Sequence, residues 1–314
     1  MRIYAGHKDL GEFEGATAVG IGIFDGVHRG HQALLRRTVE LGQGLPGGSV
    51  GYTFHPHPAV VLNPTLAPQL IEPVQQRLRR FEGLGLDAAV IEPFDRNFAG
   101  MAAASFVRDV LVGFLKARHI VVGAGFTFGS RQQGNVALLR QLGQELGFEV
   151  HPVAHVRVGG IEASSTKVRE FVHTGQLSGA TLLLGRPFCL VGQVVEGAHR
   201  GTGLGFPTAN LRAANEITPA RGVYAAIAHG PFGKQPAVTN IGYTPTFGSN
   251  VDLKIEAYLI DYRGPSFYGA NITLELTDRL RDEQRFETID ALKAQIATDV
   301  AQARQLYLAS PSGT

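Results

Sequence analysis

Hydrophobic positions along the chain follow two successive rhythms. In the first, short apolar runs alternate with stretches whose apolar residues recur at helical spacing. Ala18–Phe24 is apolar and closes on Asp25-Gly26, which predicts a strand running into a turn. His31–Gly42 carries Leu34, Leu35, Val39 and Leu41 at helical intervals. Val50–Phe54, Ala88–Glu92, His119–Gly123 and Glu149–His155 are further short runs with strand character. Helices are predicted at about Ala102–Leu115, Asn135–Gly147 and Ser165–Thr174. Strands alternating with helices imply an α/β unit whose parallel sheet is covered on both faces.

From about Gly185 the intervening helices disappear. Leu190–Val195, Tyr224–His229, Ala237–Asn240, Lys254–Asp261 and Asn271–Leu276 are short strands separated by Gly and Pro, the pattern of an antiparallel barrel or sandwich. A terminal helix is predicted over Thr288–Leu308, with Leu292, Ile296, Val300 and Leu306 near one face, and Ser310–Thr314 is expected to fray. The change of rhythm divides the chain near Leu182–Pro187, into domains 1–182 and 183–314, and the length of 314 residues agrees with two domains.

Composition narrows the function classes. With 44% hydrophobic and 18% charged residues there is enough apolar material for real cores, and 40 glycines imply many tight turns or close approaches of backbone to a ligand. The net charge is +2 and no long basic run occurs, so nucleic acid is not the expected partner. Cys189 is the only cysteine, which excludes an intrachain disulfide and leaves no argument for an oxidising compartment. Met1–Tyr4 runs into charged residues without the apolar core of a signal peptide. The uncharged stretch from Leu41 to Ile71 is broken by Gly, Pro and His, so it is not a membrane helix. A cytoplasmic protein with no membrane partner, a monomer or weak homo-oligomer, is the expectation.

The chemistry concentrates where the first long strand ends, in Gly22-Ile23-Phe24-Asp25-Gly26-Val27-His28-Arg29-Gly30-His31. Gly26 and Gly30 let backbone lie against a bulky anion. The helix that follows offers unpaired N–H groups and the positive end of its dipole. His28 and His31 can both point at that anion and stabilise charge on a phosphorus under attack. Ligands of parallel sheets bind at the carboxyl ends of the strands. A Gly-rich turn with two solvated histidines accounts for HxGH alone, but not for the whole string after a strand. Ser164-Ser165-Thr166-Lys167-Val168-Arg169 places hydroxyls at a helix start and a fork of donors one turn on, suited to the same anion. Its alternative is an ordinary N-cap followed by a surface arginine.

These motifs resemble the FMN adenylyltransferase half of bacterial bifunctional riboflavin kinase/FAD synthetases, within the wider class of nucleotidyltransferases that carry HxGH. The resemblance implies a Rossmann-like nucleotidyltransferase domain. It assigns Gly22, Phe24, Asp25, Gly26 and Gly30, with Ser164, Ser165, Thr166 and Arg169, to nucleotide binding, and His28 and His31 to catalysis. Thr53-Phe54-His55-Pro56-His57-Pro58 resembles the segment that helps form the flavin and phosphate site, with Phe54, His57 and Pro58 as substrate contacts. Phe94–Phe98, with Asp95, resembles a flavin-side loop, and Val122–Gly129 the family's glycine–aromatic loop. In that last loop Phe126 and Phe128 are substrate contacts or simple core packing. Gly125 departs from the family, which usually has a polar or acidic residue there. In the implied reaction the FMN phosphate attacks the α-phosphorus of ATP, pyrophosphate leaves, and Mg²⁺ bridges the phosphates. A phosphate monoester is already ionised near neutral pH, so no general base is required.

In the second half, Gly203-Leu204-Gly205-Phe206-Pro207-Thr208-Ala209-Asn210-Leu211 follows Gly197-Ala198-His199-Arg200-Gly201. Such glycines can wrap phosphates with backbone N–H groups, Pro207 stiffens the turn, and Thr208 and Asn210 offer neutral oxygens suited to Mg²⁺. No GK[ST] is present, so this is not a Walker loop. A structural Gly-Pro turn is the alternative. The string closely resembles the riboflavin kinase signature, and the likeness continues through Thr239–Phe247, Ile255–Tyr262, Phe267-Tyr268-Gly269 and Leu280–Phe286. It implies an antiparallel β-barrel with a terminal helix, nucleotide contacts at Gly197, Gly205, Phe206 and Pro207, and Mg²⁺ ligands at Thr208 and Asn210. Glu256 is implied to deprotonate the riboflavin 5′-hydroxyl. A glutamate on the barrel exterior facing water is the alternative, because strands alternate faces. Thr202 departs from the arginine the family often carries.

Three readings stand. The chain makes FMN and then FAD from riboflavin and ATP; or it is a kinase whose first domain transfers poorly because of Gly125; or it is a flavin or nucleotide sensor. Thr208, Asn210 and Glu256 together argue against the sensor, because binding alone does not require a base beside a metal site.

Overall fold

The computed structural model describes residues 1–9, 13–197, 205–245 and 251–309. Chain contacts define two compact units, Met1–Gln69 with Pro73–Ser164, and Leu70–Glu72 with Ser165–Thr314.

The first unit runs β1 (Arg2–Tyr4), β2 (Thr17–Ile21), α1 (Arg29–Gly42), β3 (Gly48–His55), α2 (Pro58–Leu62), α3 (Val74–Gly83), β4 (Ala88–Pro93) and α4 (Arg96–Ala99). It continues through α5 (Ala103–Ser105), which passes into a π-helical stretch over Phe106–Phe114, then β5 (Ala117–Gly123), β6 (Thr127–Phe128) and β7 (Gly134–Asn135). α6 (Val136–Leu146), β8 (Glu149–Val153), β9 (Arg157–Val158) and β10 (Ile161–Glu162) complete it. Six strands form one sheet in the order β1-β4-β3-β2-β5-β8, and every neighbouring pair is parallel. From β2 the chain winds out through β3 and β4, then returns to the other side of β2 through β5 and β8. The winding therefore reverses between β2 and β5, where parallel sheets open a crevice for ligands.

Every residue of β2 is buried. One face carries Val19, Ile21, Val50 and Tyr52 against Leu111 and Leu139, and the other carries Ala89 and Val121 against Leu34, Leu35 and Phe81. This is the doubly covered sheet that the apolar runs predict. The first run differs in its end: the strand stops at Ile21, and Phe24, Gly26 and Val27 take φ of 54°, 78° and 37°.

The second unit holds α7 (Ser165–His173), α8 (Leu177–Leu184), β11 (Phe188–Val195), β12 (Ala209–Ala213), β13 (Gly222–Gly230), β14 (Gly233–Pro245), β15 (Val251–Leu259), β16 (Asn271–Arg281) and α9 (Ile289–Ala309). Its strands close into an antiparallel barrel in the order β11-β12-β15-β14-β13-β16. A barrel, rather than a sandwich, resolves the alternative left open by the strand pattern, and closure leaves no free sheet edge. The contacts divide the chain after Ser164, so α7 and α8 sit with the barrel although the rhythm changes near Gly185. Leu70–Glu72 also belongs here: Leu70 O accepts from Ile217 N at 3.2 Å, Ile71 O from the Asn215 amide at 3.0 Å, and Glu72 pairs with Arg186 at 3.1 Å.

α9 covers part of the barrel exterior, with Val300 and Leu306 packed against Val223, Ala225, Val238 and Ile260. Its deepest positions are Asp299 and Ala303, rather than the Leu292–Ile296 end of the expected stripe. The cause is polar. Asp299 receives Arg281 Nε at 3.0 Å and Nη2 at 2.9 Å, and the Gln295 amide at 2.9 Å, so the helix turns its carboxylate inward. Ser310–Thr314, expected to fray, lie outside the described residues.

Removing one partner of a buried ion pair leaves the other charge uncompensated. Asp299→Ala should lower the stability of the barrel unit by about 3 kcal/mol, read as a lower urea midpoint for its unfolding transition; an unchanged midpoint would show that α9 docks through its apolar residues alone.

Candidate active sites

At the switch point, β2 hands the chain to a turn that buries nearly everything it carries. Phe24, Asp25, Val27 and His28 are at most 5% exposed. Left-handed backbone at Phe24 and at the β-branched Val27 is disfavoured, and it persists here because neighbours hold it. Phe24 stacks edge-on against Phe81 and His31, each with ring centres 5.3 Å away. Val27 N–H donates to Phe24 O at 3.1 Å, and the Gln32 amide donates to Val27 O at 2.9 Å. Gly22 N–H is tied to Tyr52 O at 3.1 Å, and Thr53 Oγ1 donates to Ile23 O at 2.9 Å while receiving the buried Arg77 guanidinium at 3.1 Å. The turn is thus bolted to β3 on one side and α1 on the other.

His28 is the N-cap of α1, its Nδ1 accepting from His31 N–H at 3.4 Å. The two imidazoles stack with centres 3.7 Å apart. The pair therefore stands at the positive end of a fourteen-residue helix. Gly30 keeps the approach clear: a Cβ there would lie 3.1 Å from the His28 ring and 3.2 Å from Ala163 O. Gly26 supplies the left-handed turn. Ser164 ends the described first unit, and Ser165 opens α7 in the second, with Thr166 in its first turn and Arg169 one turn on.

An aromatic layer stands at the carboxyl ends of β3 and β4. Phe54, Phe94 and Phe98 lie within 5.8–6.0 Å of one another, and Phe98 meets Phe106 at 5.9 Å. Beneath it, Tyr52 donates to Glu92 at 2.6 Å and His7 Nδ1 contacts the same carboxylate at 2.8 Å. Burial, and then the Glu92 charge, push the Tyr52 hydroxyl well above its ordinary pKa, which keeps it a donor. His57 caps α2 by accepting from Ala59 N–H at 3.1 Å, with Pro58 at the first helical position. Asp95 caps α4 by accepting from Phe98 N–H at 2.7 Å, a structural task that the sequence did not show. Phe126 and Phe128 stack at 5.4 Å; Phe128 is core, while Phe126 is half-buried against it. A Cβ on Gly125 would meet open space.

In the barrel, registry assembles the second site. Asn210 of β12 pairs with Glu256 of β15, and Glu256 pairs in turn with Asn240 of β14. Residues in register share a face, so the three form one row across three strands. Their neighbours Ala209, Ala257, Thr239 and Ile241 are buried in the barrel, which puts the row on the exterior. Glu256 is half-buried there and paired with Lys254 at 2.8 Å. Lys254 is the charged partner of Glu256 that the motifs do not mark, although its spacing of two from Glu256 on a strand puts both side chains on one face. Asn210 reaches back over Gly197, where any side chain would collide with its amide. Phe206 packs edge-on at 5.3 Å against Tyr258, which shares the face of Glu256.

Pro207 and Thr208 line a cavity of about 200 Å³, together with Ala209, Ala257 and Leu259 and with Phe267 and Tyr268 of the following loop. Glu256 and Asn210 are not in that wall; they stand on the other face of the same strands. Gly205 turns with φ 88°. Ala198–Leu204, which hold Gly201, Gly203, Thr202 and the His199–Arg200 pair of the glycine-rich stretch, lie outside the described residues, as do Thr246 and Phe247.

Residues 11–167 match the family model of FAD synthetase, and residues 184–307 match that of riboflavin kinase. A bifunctional riboflavin kinase/FMN adenylyltransferase of Escherichia coli K12 is 38% identical over 91% of both chains. The chain belongs to the bifunctional riboflavin kinase/FMN adenylyltransferase family. A second member, from Pseudomonas fluorescens, is 36% identical over 98% of this chain and 97% of its own. A solved structure described as a macrolide-efflux protein from Streptococcus pneumoniae is 29% identical, covers 96% of this chain and 98% of its own, and superposes with a TM-score of 0.84. Among the described residues here, no helix is long and apolar enough to cross a membrane.

Because the Gly125 position is open and makes no demand for glycine, Gly125→Asp should change the unfolding free energy of the first unit by no more than about 0.5 kcal/mol. A urea titration checks this, and a larger loss would show that the loop requires glycine.

Proposed function

We propose that the parallel-sheet unit of this chain adenylylates FMN around His28 and His31, and that the barrel phosphorylates riboflavin with Glu256 as base, with ATP the donor in both steps. The carrying observation is the row Asn210–Glu256–Asn240, which sets a carboxylate residue in register between two asparagines on three paired strands. A module that only binds flavin has no use for such a base. Residues 1–182 are assigned to adenylyl transfer and 183–314 to phosphorylation, supported by the family matches at 11–167 and 184–307. Both steps consume ATP, which supports a cytoplasmic setting.

In the kinase step the riboflavin 5′-oxygen attacks the γ-phosphorus of ATP, its proton passes to the Glu256 carboxylate, and the bond to the bridging oxygen breaks to release ADP. Thr208 and Asn210 would hold Mg²⁺. Their neutral oxygens suit a hard cation, and Gly197, by lacking a side chain, provides the space the Asn210 amide occupies. Bound there, Mg²⁺ would offset phosphate charge. In the adenylyl step an FMN phosphate oxygen attacks the α-phosphorus of a second ATP, and pyrophosphate leaves. The protein aligns two anions and neutralises their repulsion. His28 and His31, backed by the α1 dipole, serve that purpose, and the Phe54–Phe98 layer offers a face for the isoalloxazine ring.

A second reading, a kinase with weak adenylyl transfer, is supported by Gly125, where the loop offers no side chain toward open space. A chromatographic time course with riboflavin, ATP and Mg²⁺ separates the two. FMN followed by FAD supports the first; FMN accumulating alone supports the second; no product overturns both.

Glu256→Gln should lower riboflavin phosphorylation by about 10²–10⁴-fold while FMN adenylylation continues, and equal loss of both would sink the two-site assignment. His28→Ala should do the reverse, lowering FAD formation from supplied FMN by about 10²–10³-fold; unchanged FAD formation would remove His28 from the mechanism.

A further inference from the structure

Away from both sites, three ligand-type side chains converge at the edge of the parallel sheet. His119 lies on β5 and pairs with Glu149 on the edge strand β8, and Val121 pairs with His151. Side chains at 119, 149 and 151 therefore share one face. His119 Nδ1 lies 3.1 Å from His151 Nε2, His151 Nε2 lies 3.6 Å from a Glu149 oxygen, and His119 Nδ1 lies 3.8 Å from the same oxygen. Among the described residues, no other three such groups come together in this way.

Two imidazole nitrogens and one carboxylate oxygen form a donor set of borderline softness, the kind that holds zinc-class ions. Ligand atoms about 2.0–2.1 Å from a tetrahedral zinc lie about 3.3–3.4 Å apart. The distances of 3.1, 3.6 and 3.8 Å bracket that edge. Both imidazoles are held by strand backbone, with side chains 18% and 21% exposed, while Glu149 at 62% retains freedom to close on an ion. Three protein ligands leave a fourth position for water or another small ligand. A groove lined by Ala33, Arg37, Glu40 and His151 gives it room. Arg37, the cation on the facing helix, is engaged by Glu40 at 3.1 Å.

We propose that His119, Glu149 and His151 form a three-ligand site for a zinc-class divalent ion, which clips the edge strand β8 to β5 and keeps one coordination position open. This ion is separate from the Mg²⁺ that accompanies nucleotide, which takes oxygen ligands.

The test uses the full chain, stripped with a chelator and held in excess Mg²⁺, titrated with Zn²⁺ against a metal-sensitive dye. One equivalent should bind. His119→Ala and His151→Ala should each weaken it by more than the roughly 10–100-fold that loss of an outer-shell partner costs, with circular dichroism confirming that both variants fold. His28→Ala should leave binding unchanged. Anomalous scattering at the zinc edge from soaked crystals of the parent protein should place a peak between the three side chains. Zn²⁺ retained in His151→Ala, lost in His28→Ala, or absent from that position in the anomalous map overturns the proposal and leaves a hydrogen-bonded imidazole pair.

Discussion

A strand covered on both faces has nowhere along its length to keep a polar side chain unless that group bonds to its own surroundings. β2 meets this constraint in full, with every residue buried, and the few polar groups in the sheet comply. Thr17 donates to Leu115 O, Ser49 to Asp87, and Thr53 to Ile23 O. Chemistry is thereby driven to the strand ends, where β2 gives way to the left-handed turn and the stacked histidines. The reversal of winding between β2 and β5 then selects which ends are used.

The barrel obeys a weaker form of the same rule. Its strands bury one face in the interior and leave alternate residues outside, so a carboxylate can stand in mid-strand without being orphaned. Glu256 does so, between Asn210 and Asn240 and paired with Lys254. The two units thus place reactive groups by different devices: a helix end in one, strand registry in the other. The first favours neutralising anions and needs no proton acceptor. The second can hold a carboxylate in register with neutral asparagines on an outward strand face.

What the sequence shows and what it hides follow from these devices. Continuous apolar runs announced β3, β4 and β5 within a few residues, because burial on both faces leaves no other composition. β1 escaped notice, since three residues paired with β4 alone carry no period. α3 was hidden by its buried Gln76 and Arg77, which look like surface residues until Thr53 and Phe54 O are found waiting for the guanidinium. The motifs marked where each site lies, but not the roles their members share with the fold. Asp95 and His57 are occupied as helix caps, Phe128 is core, and the alternation that puts Glu256 outside and Ala257 inside gives Lys254 its place beside that carboxylate. Those are facts of three dimensions, and no string of residues carries them.

The strap at Leu70–Glu72 bears on how the protein can be divided. Although it lies in the middle of the first half of the chain, it is built into the barrel unit, where Asn215 holds Ile71 O, Ile217 binds Leu70 O, and Arg186 pairs with Glu72. The polypeptide therefore crosses between units at more than one point, and no single scission yields both halves intact. A barrel excised at the change of rhythm loses the strap as well as α7 and α8, and leaves Arg186 and the Asn215 amide facing a gap. Fusion of the two activities in one polypeptide is, in this fold, a matter of threading as much as of genetic linkage.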